Sequence, residues 1–134
     1  MPYKLYDYLD ANGVNEFEQW TRHQEKDQRT KLRQKLDSLA ALGDELMPQL
    51  LTGTHVPGIL KLRTRGNIQL RPLLCKGPHS IAEEYTLLMG AREVGDKWDP
   101  SGAPDTANSR KAEVLANGEK RRTPHVIVTE KKNE

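Results

Sequence analysis

The amino-acid sequence predicts an α+β fold with an N-terminal strand, an αα-hairpin, a curved antiparallel sheet of about four strands and a C-terminal helix. Two observations lead to this prediction. Apolar residues recur at helical spacing in two neighbouring segments of the N-terminal half. Three apolar runs separated by turn residues then follow between residues 58 and 93, and the first of them alternates leucine with cations, as a strand with two different faces does.

The composition indicates one domain with a modest core. The chain has 134 residues, of which 35% are hydrophobic and 30% charged, with a formal net charge of +2. We place the domain at residues 1–118 and a charged tail at 119–134. The single cysteine, Cys75, lies in an apolar run, so we expect a buried thiol and neither an internal disulfide nor a cysteine-rich zinc site. With no apolar run of ~20 residues and no apolar signal region, a cytoplasmic protein without membrane association is expected.

The N-terminal segments are read as a strand followed by a short helix. Tyr3–Leu9 is rich in tyrosine and forms the first predicted strand. Asn15 can cap a helix, because Glu18 stands three residues later and completes a capping-box-like pair. The first helix is therefore predicted from Glu16 to Gln24.

A second helix follows directly, with Asp27 as its predicted cap and Gly43 as its end. Its apolar stripe consists of Leu32, Leu36, Leu39 and Leu42. The two helices form an αα-hairpin that we expect to cover one face of the sheet.

The first basic run alternates cations with leucines. Lys61, Arg63 and Arg65 stand at every second position, and Leu60 and Leu62 stand between them. Successive side chains of a strand point to opposite faces, so the cations share one face and the leucines the other.

The register with the next strand follows from the same alternation. A three-residue loop, Gly66 to Ile68, pairs Arg63 with Arg71 and keeps the leucines together on the opposite face. Two arginines directly opposite each other repel unless an anion lies between them, which suggests a phosphate-binding site. Pro72 cannot donate to a sheet ladder, so this strand is expected at an edge or at a bulge.

The last elements complete the predicted domain. Tyr85 to Ala91 is the most apolar run and is predicted as the central strand. A final helix, capped by Asp105 or Thr106, ends near residues 117–118, with Ala107, Val114 and Leu115 facing inward. In the charged tail, residues 126–128 (Val-Ile-Val) could add an edge strand or pair with a partner.

This succession of segments resembles the RelE/ParE toxin superfamily, and most closely its phage-derived, HigB-like branch. The resemblance covers roughly residues 3–117. It is carried by Phe17-Glu-Gln-Trp20, Leu36-Asp-Ser-Leu-Ala-Ala-Leu-Gly43, Gly58-Ile-Leu-Lys-Leu-Arg63, Gln69-Leu-Arg71-Pro-Leu and the run from Tyr85 to Ala91.

The resemblance implies a small α+β toxin held in check by an antitoxin, expected to be a helix-turn-helix protein. Many relatives cut mRNA in the ribosomal A site without a metal or cofactor, so mRNA and the ribosome are the implied partners. Others of the same fold inhibit DNA gyrase, and fold alone does not decide between these activities. A third reading is a non-catalytic phage or prophage binding protein that has kept the fold.

For RNA cleavage, the resemblance points to a cluster of cations. Arg63 and Arg71 are the candidates for a clamp on the scissile phosphate, since arginine offers a bidentate fork. Lys61 is a candidate acid or base, and Arg92, at the exit of the central strand, is placed to join them. Candidates for contacts with flanking RNA are Arg65, Lys76 and Arg33.

The sequence departs from the family pattern at two points. Lys61 stands where relatives commonly have a glutamate. No terminal catalytic tyrosine or histidine can be placed, and Glu93, Lys97 and His125 are only neighbouring alternatives.

Overall fold

In the computed structural model, residues 3–64, 66 and 68–126 are described. Within these ranges the chain forms three helices and seven strands. They are, in order, β1 (Lys4–Tyr8), α1 (Glu16–Arg22), α2 (Lys26–Leu42), β2 (Leu51–Gly53), β3 (Leu60–Leu62), β4 (Leu70–Lys76), β5 (Glu84–Val94), β6 (Lys97–Asp99), α3 (Ala103–Asn117) and β7 (Arg122–Pro124). Short 3₁₀ turns at Gly43–Leu46 and Gly118–Arg121 follow α2 and α3.

The α+β class is confirmed, but the sheet is larger than predicted and is not purely antiparallel. Seven strands form one sheet in the order β2-β3-β4-β5-β1-β7, and β6 pairs with the far end of β5. The prediction of about four strands was too low because β2, β6 and β7 have three residues each, too few for a recognisable hydrophobic alternation. The sheet is mixed because β1 pairs in parallel with β5, which is the central strand as predicted.

Apolar clusters lie on both faces of the sheet. On one face, α1 and α2 contribute Phe17, Leu36 and Leu39, which pack against sheet residues such as Leu62 and Leu87. On the other face, α3 contributes Ala103, Ala107 and Val114, which pack against Leu73, Cys75 and Ala91. Burial raises the pKa of the Cys75 thiol to about 12, so it behaves as the expected buried small hydrophobe. The cation-bearing face of β3 is therefore the α3 side and not an uncovered face.

The predicted caps are correct at α1 and wrong at the other two helices. The Asn15 side chain accepts from the Glu18 N–H at 2.9 Å. Helix α2 begins one residue before Asp27, after Glu25, and α3 begins at Ala103 after Gly102, where the left-handed φ of 71° suits glycine. Ala107 and Val114 of α3 are buried as expected, whereas Leu115, one residue further around the helix, is 55% exposed.

The β3–β4 pair has the predicted register with a longer connection. Lys61 lies opposite Leu73. Two residues further along, the same register places Arg63 opposite Arg71, as predicted. Strand β3 ends at Leu62 and β4 begins at Leu70, so the three-residue loop was wrong. Arg65 and Asn67 lie outside the described residues. Pro72 lies in β4, an interior strand, and not at an edge of the sheet. It lies just beyond the residues of β4 that pair with β3, and next to a register shift between Leu73 and Leu74.

The register shift between β4 and β5 determines which face of the sheet the residues at the end of β5 occupy. Leu73 pairs with Met89 and Leu74 with Leu87, so Leu88 is an additional residue in β5. Leu88 and Met89 both join the core on the α3 side, and Arg110 of α3 donates to the Leu88 carbonyl oxygen at 3.0 Å. By alternation from Met89, Ala91 and then Glu93 face the α3 side as well.

The fold continues past residue 118, where the sequence interpretation ended the domain. Strand β7 pairs antiparallel with β1. The Arg122 side chain, 4% exposed, forms an ion pair with Glu84, joining Nη1 to Oε2 at 2.5 Å. Val126 is 65% exposed, and the rest of the 126–128 segment lies outside the described residues. None of the described helices has both the length and the apolar character that crossing a membrane requires.

Replacing Gly90 by alanine is expected to destabilise the fold by about 1–3 kcal/mol, because it overpacks the contact between β5 and α1. A Cβ at this position would clash with Cδ2 of the Trp20 ring. Denaturant unfolding checks the free energy of unfolding. The matched strand control is Gly53→Ala, where a Cβ meets nothing within 4 Å. Equal stability of the two variants would contradict the close packing of Trp20 on the sheet.

Candidate active site

A carboxylate held between two cations forms a compact charged cluster on the α3 side of the sheet. Glu93 Oε2 accepts from Lys61 Nζ at 2.7 Å, and Glu93 Oε1 accepts from Arg71 Nε at 2.6 Å. The three side chains are 14%, 8% and 18% exposed for Lys61, Arg71 and Glu93. The cluster is thus a bridge shielded from bulk solvent, with one oxygen of Glu93 assigned to each cation.

Strand register brings the three residues together from distant points of the chain. Arg71 lies opposite Ala91, and Glu93 is two residues further along the same face of β5. Lys61 lies opposite Leu73, so it stands on the same face of β3 as Arg71 does on β4. The Arg92 and Leu70 pair takes the opposite face.

Arg71 is anchored by the protein on all three nitrogens. Besides the Nε bond to Glu93, Nη1 donates to the carbonyl oxygens of Thr64 and Leu70, each at 3.1 Å. Nη2 donates to Gln69 Oε1 at 3.2 Å. A guanidinium with these partners positions Glu93 and has few free N–H donors for a ligand.

The electrostatics of Glu93 are set by opposing effects. Burial alone would raise its pKa, but the hydrogen bonds and charges of Lys61 and Arg71 outweigh burial and lower the pKa below the ordinary value. Glu93 is therefore an ionised carboxylate at neutral pH. A carboxylate in this state can accept a proton from a bound group if the group displaces one of the two cations.

A cleft beside the cluster is open to solvent and lined by polar groups. Its volume is about 360 Å³, and Arg63, Thr64, Gln69 and Arg71 are among its lining residues. Arg63 is exposed, and its backbone N–H donates to the Leu50 carbonyl at 2.8 Å, which fixes the strand end from which the side chain extends. Lys31 adds charge at the rim, since its Nζ would lie 2.8 Å from a Cβ built on Gly66. The cleft can receive an anion.

Trp98 lies next to the cluster on β6. It is directly opposite Glu93 in the sheet. Lys61 Nζ is 5.5 Å from the Trp98 ring centroid, within the range of a cation–π contact. The aromatic ring therefore helps to hold the lysine beside Glu93.

The remaining predicted site residues are not part of this cluster. Arg92 is exposed and bonds Asp99 at 2.8 Å. Lys76 pairs with Asp44 at 2.7 Å, and Arg33 on α2 lies 3.9 Å from Asp37. Arg65 lies outside the described residues. Of the seven predicted residues, the structure thus brings together Lys61 and Arg71, with Arg63 sharing a cleft with Arg71.

Glu93 is the site residue that the sequence interpretation left as a mere neighbouring alternative. Its signal in the sequence was its parity with Ala91, an apolar residue of the central strand. The shared face of Ala91 and Glu93 indicates a site only once the strand register shows that Lys61 and Arg71 lie on the same face of the neighbouring strands. Within the described ranges, no group of three or more His, Cys, Asp or Glu side chains is arranged to hold a metal ion.

Comparison with known proteins adds no relative from which a role could be transferred. A scan against protein-family models, a search of curated proteins and a search of solved structures each returned no match.

Proposed function

We propose that this protein is a toxin with a RelE-like arrangement that cleaves mRNA on the ribosome. The observation that carries the proposal is the Lys61–Glu93–Arg71 cluster beside the cleft that Arg63 enters. The order of strand, helix pair, sheet with a central apolar strand, and later helix supports the RelE-like arrangement. The glutamate that relatives commonly carry in place of Lys61 has, in this proposal, a counterpart in Glu93 from the central strand.

The proposed reaction is an internal transesterification of RNA. The 2′-oxygen attacks the adjacent phosphorus, its proton goes to a base, and the bond from phosphorus to the 5′-oxygen breaks. The products are a 2′,3′-cyclic phosphate and a 5′-hydroxyl, whose oxygen takes up a proton. A protein accelerates this step by supplying the base, stabilising charge on the phosphorane and protonating the leaving oxygen.

The four residues have distinct roles in this proposal. Glu93 is the base, because it is the one carboxylate of the described cluster and is held ionised. Lys61 stabilises the phosphorane and can donate a proton to the leaving oxygen. Arg63 binds the phosphate from its exposed position, and Arg71 orients Glu93 from a buried one. The two arginines were expected to clamp the phosphate together. In this proposal Arg63 alone binds the phosphate, and Arg71 positions Glu93.

The implied partners are the ribosome with its mRNA and an antitoxin. An antitoxin of the helix-turn-helix class would silence this site if it placed acidic side chains over the cleft that contains Arg63. Cations at a cleft rim attract both RNA phosphates and acidic protein segments, so the two partners would compete for the same charges.

Replacing Arg63 by glutamine is expected to lower RNA cleavage about 10- to 100-fold, since a hydrogen bond to a charged group contributes about 1.5–3 kcal/mol. The fold should be unaffected, because Arg63 is exposed. Controlled expression followed by 5′-end mapping of cellular RNA measures the effect. Arg22→Gln on α1 is the matched control.

The same experiment separates the competing functions. Growth arrest with new RNA 5′ ends in translated regions supports the nuclease. Arrest with intact mRNA and accumulating DNA breaks would replace it by inhibition of gyrase. Expression that does not arrest growth and produces no cut RNA would favour the non-catalytic binding protein.

A further inference from the structure

An apolar groove lies on the opposite side of the fold from α3, between α2 and the β1–β7 edge of the sheet. Its volume is about 390 Å³, and its walls include Tyr3, Leu5, Leu36, Ala40 and Pro124. Strand β7 is the last strand of the sheet order, so its outer edge pairs with no strand of the described residues. A free edge beside an apolar groove is the geometry in which an extended peptide can add to a sheet.

A buried cation stands at one end of this groove. Arg29 on α2 is 8% exposed and lines a cavity of about 10 Å³, which is the size of one water or one ligand oxygen. Its Nη1 donates to the Gln24 carbonyl at 2.6 Å. Its buried Nε makes no hydrogen bond to any part of the chain that the structure describes. Burying a guanidinium without a carboxylate is costly, so this end of the groove favours an anion.

The groove and the cavity adjoin each other, and the other polar groups that they share already have partners. Leu36, Asp37 and His125 line both. Asp37 is paired with Arg33 at 3.9 Å, and His125 Nδ1 lies 2.8 Å from Asp7 Oδ1. The remaining charged wall residue is the exposed Lys4. The excess charge of the site is therefore positive.

We propose that this groove docks an extended segment of a second protein in which apolar residues flank an acidic one. The apolar side chains fill the space between α2 and β1, and the carboxylate accepts from Arg29 Nε in the small cavity. The groove is built from residues outside the Lys61–Glu93–Arg71 cluster, so this docking site does not depend on the nuclease proposal.

The test uses the full chain and a short fluorescein-labelled peptide that alternates leucine with glutamate, with a twin carrying glutamine instead. Fluorescence anisotropy should show the acidic peptide binding about tenfold more tightly than its twin. Arg29→Gln should remove that preference and leave the twin's affinity unchanged. Lys26→Gln, an exposed change on the same helix, is the control and should keep the preference.

A second variant guards against loss of folding. Ala40→Met fills the groove without touching Arg29 and should weaken both peptides, while thermal unfolding confirms that each variant is folded. Equal binding of the two peptides, or binding that Arg29→Gln leaves unchanged, would overturn the proposal. Absence of any binding to the full chain would also overturn it. Light scattering that shows concentration-dependent dimers with the groove inaccessible would assign it to a second copy of this chain instead.

Discussion

Replacing Glu93 by glutamine is expected to lower the rate of RNA cleavage by about 100- to 10,000-fold, the contribution of a positioned acid or base. Glutamine keeps the shape and can still accept a hydrogen bond from one of the two cations, but it cannot take a proton from the 2′-hydroxyl. The loss should fall on kcat, whereas KM for programmed ribosomes should change little, because Arg63 still binds the phosphate.

The control for this result is a carboxylate of the same chemistry outside the cluster. Glu45 is exposed in the 3₁₀ turn after α2, and Glu45→Gln should cleave like the wild type. Thermal unfolding of both variants separates lost chemistry from lost folding. A Glu93→Gln protein that is folded and cleaves within threefold of the wild type would remove Glu93 from the reaction.

Replacing Arg122 by methionine is expected to lower the free energy of unfolding by about 3–5 kcal/mol at pH 7, the cost of breaking a buried ion pair. The change removes the partner of Glu84, whose side chain is 7% exposed. It also removes the stacking of the guanidinium on Tyr6, at 3.8 Å from the ring centroid, and the bond to Glu119. Because Arg122 joins β7 to β5 across β1, the variant loosens one edge of the sheet.

The stability difference between the wild type and Arg122→Met should depend on pH in a defined direction. Burial alone would raise the pKa of Glu84, but the hydrogen bonds from Arg122 and from backbone groups lower it below the ordinary value. The wild-type pair therefore contributes stability above the ordinary carboxyl pKa and loses it as pH falls through the folded pKa. In the variant the same carboxylate is buried without its cation, so protonation relieves the cost. The difference in stability should thus be largest at pH 7 and shrink as the pH falls toward and through the ordinary carboxyl pKa of about 4.3.

Denaturant unfolding across pH tests both parts of this prediction. The exposed pair Arg92–Asp99 provides the control, since side chains that are 46% and 57% exposed should contribute at most about 1 kcal/mol. A cost for Arg122→Met that matches the Arg92→Met control, or that grows as pH falls, would contradict the buried-pair account.

The elements that the sequence predicted correctly are those specified by local patterns. Each of them depends on a few neighbouring residues: the Asn15 cap, the buried leucines of α2 at 32, 36 and 39, and the alternation of Lys61 with the leucines beside it. The central position of the run from Tyr85 follows from its continuous apolar character.

The features that the sequence could not reveal depend on distant parts of the chain. The parallel pairing of Leu5 with Tyr85 joins residues that share no local signal. The extra residue Leu88 resets the alternation of the central strand by one position, which no propensity records. The place of Glu93 between Lys61 and Arg71 needs both registers at once, so the candidate site was predicted only as a set of cations.

Cleavage of RNA by the proposed transesterification at the Glu93 cluster leaves cut ends of defined chemistry, which can be identified. Purified protein is incubated with translating ribosomes and a defined mRNA in the presence of a metal chelator that spares the ribosome's magnesium, and the ends are identified by mass spectrometry. We expect 2′,3′-cyclic phosphate and 5′-hydroxyl ends with the wild type and at least about 100-fold fewer of them with Glu93→Gln. Uncut mRNA with the wild type, or 5′-phosphate ends, would contradict it.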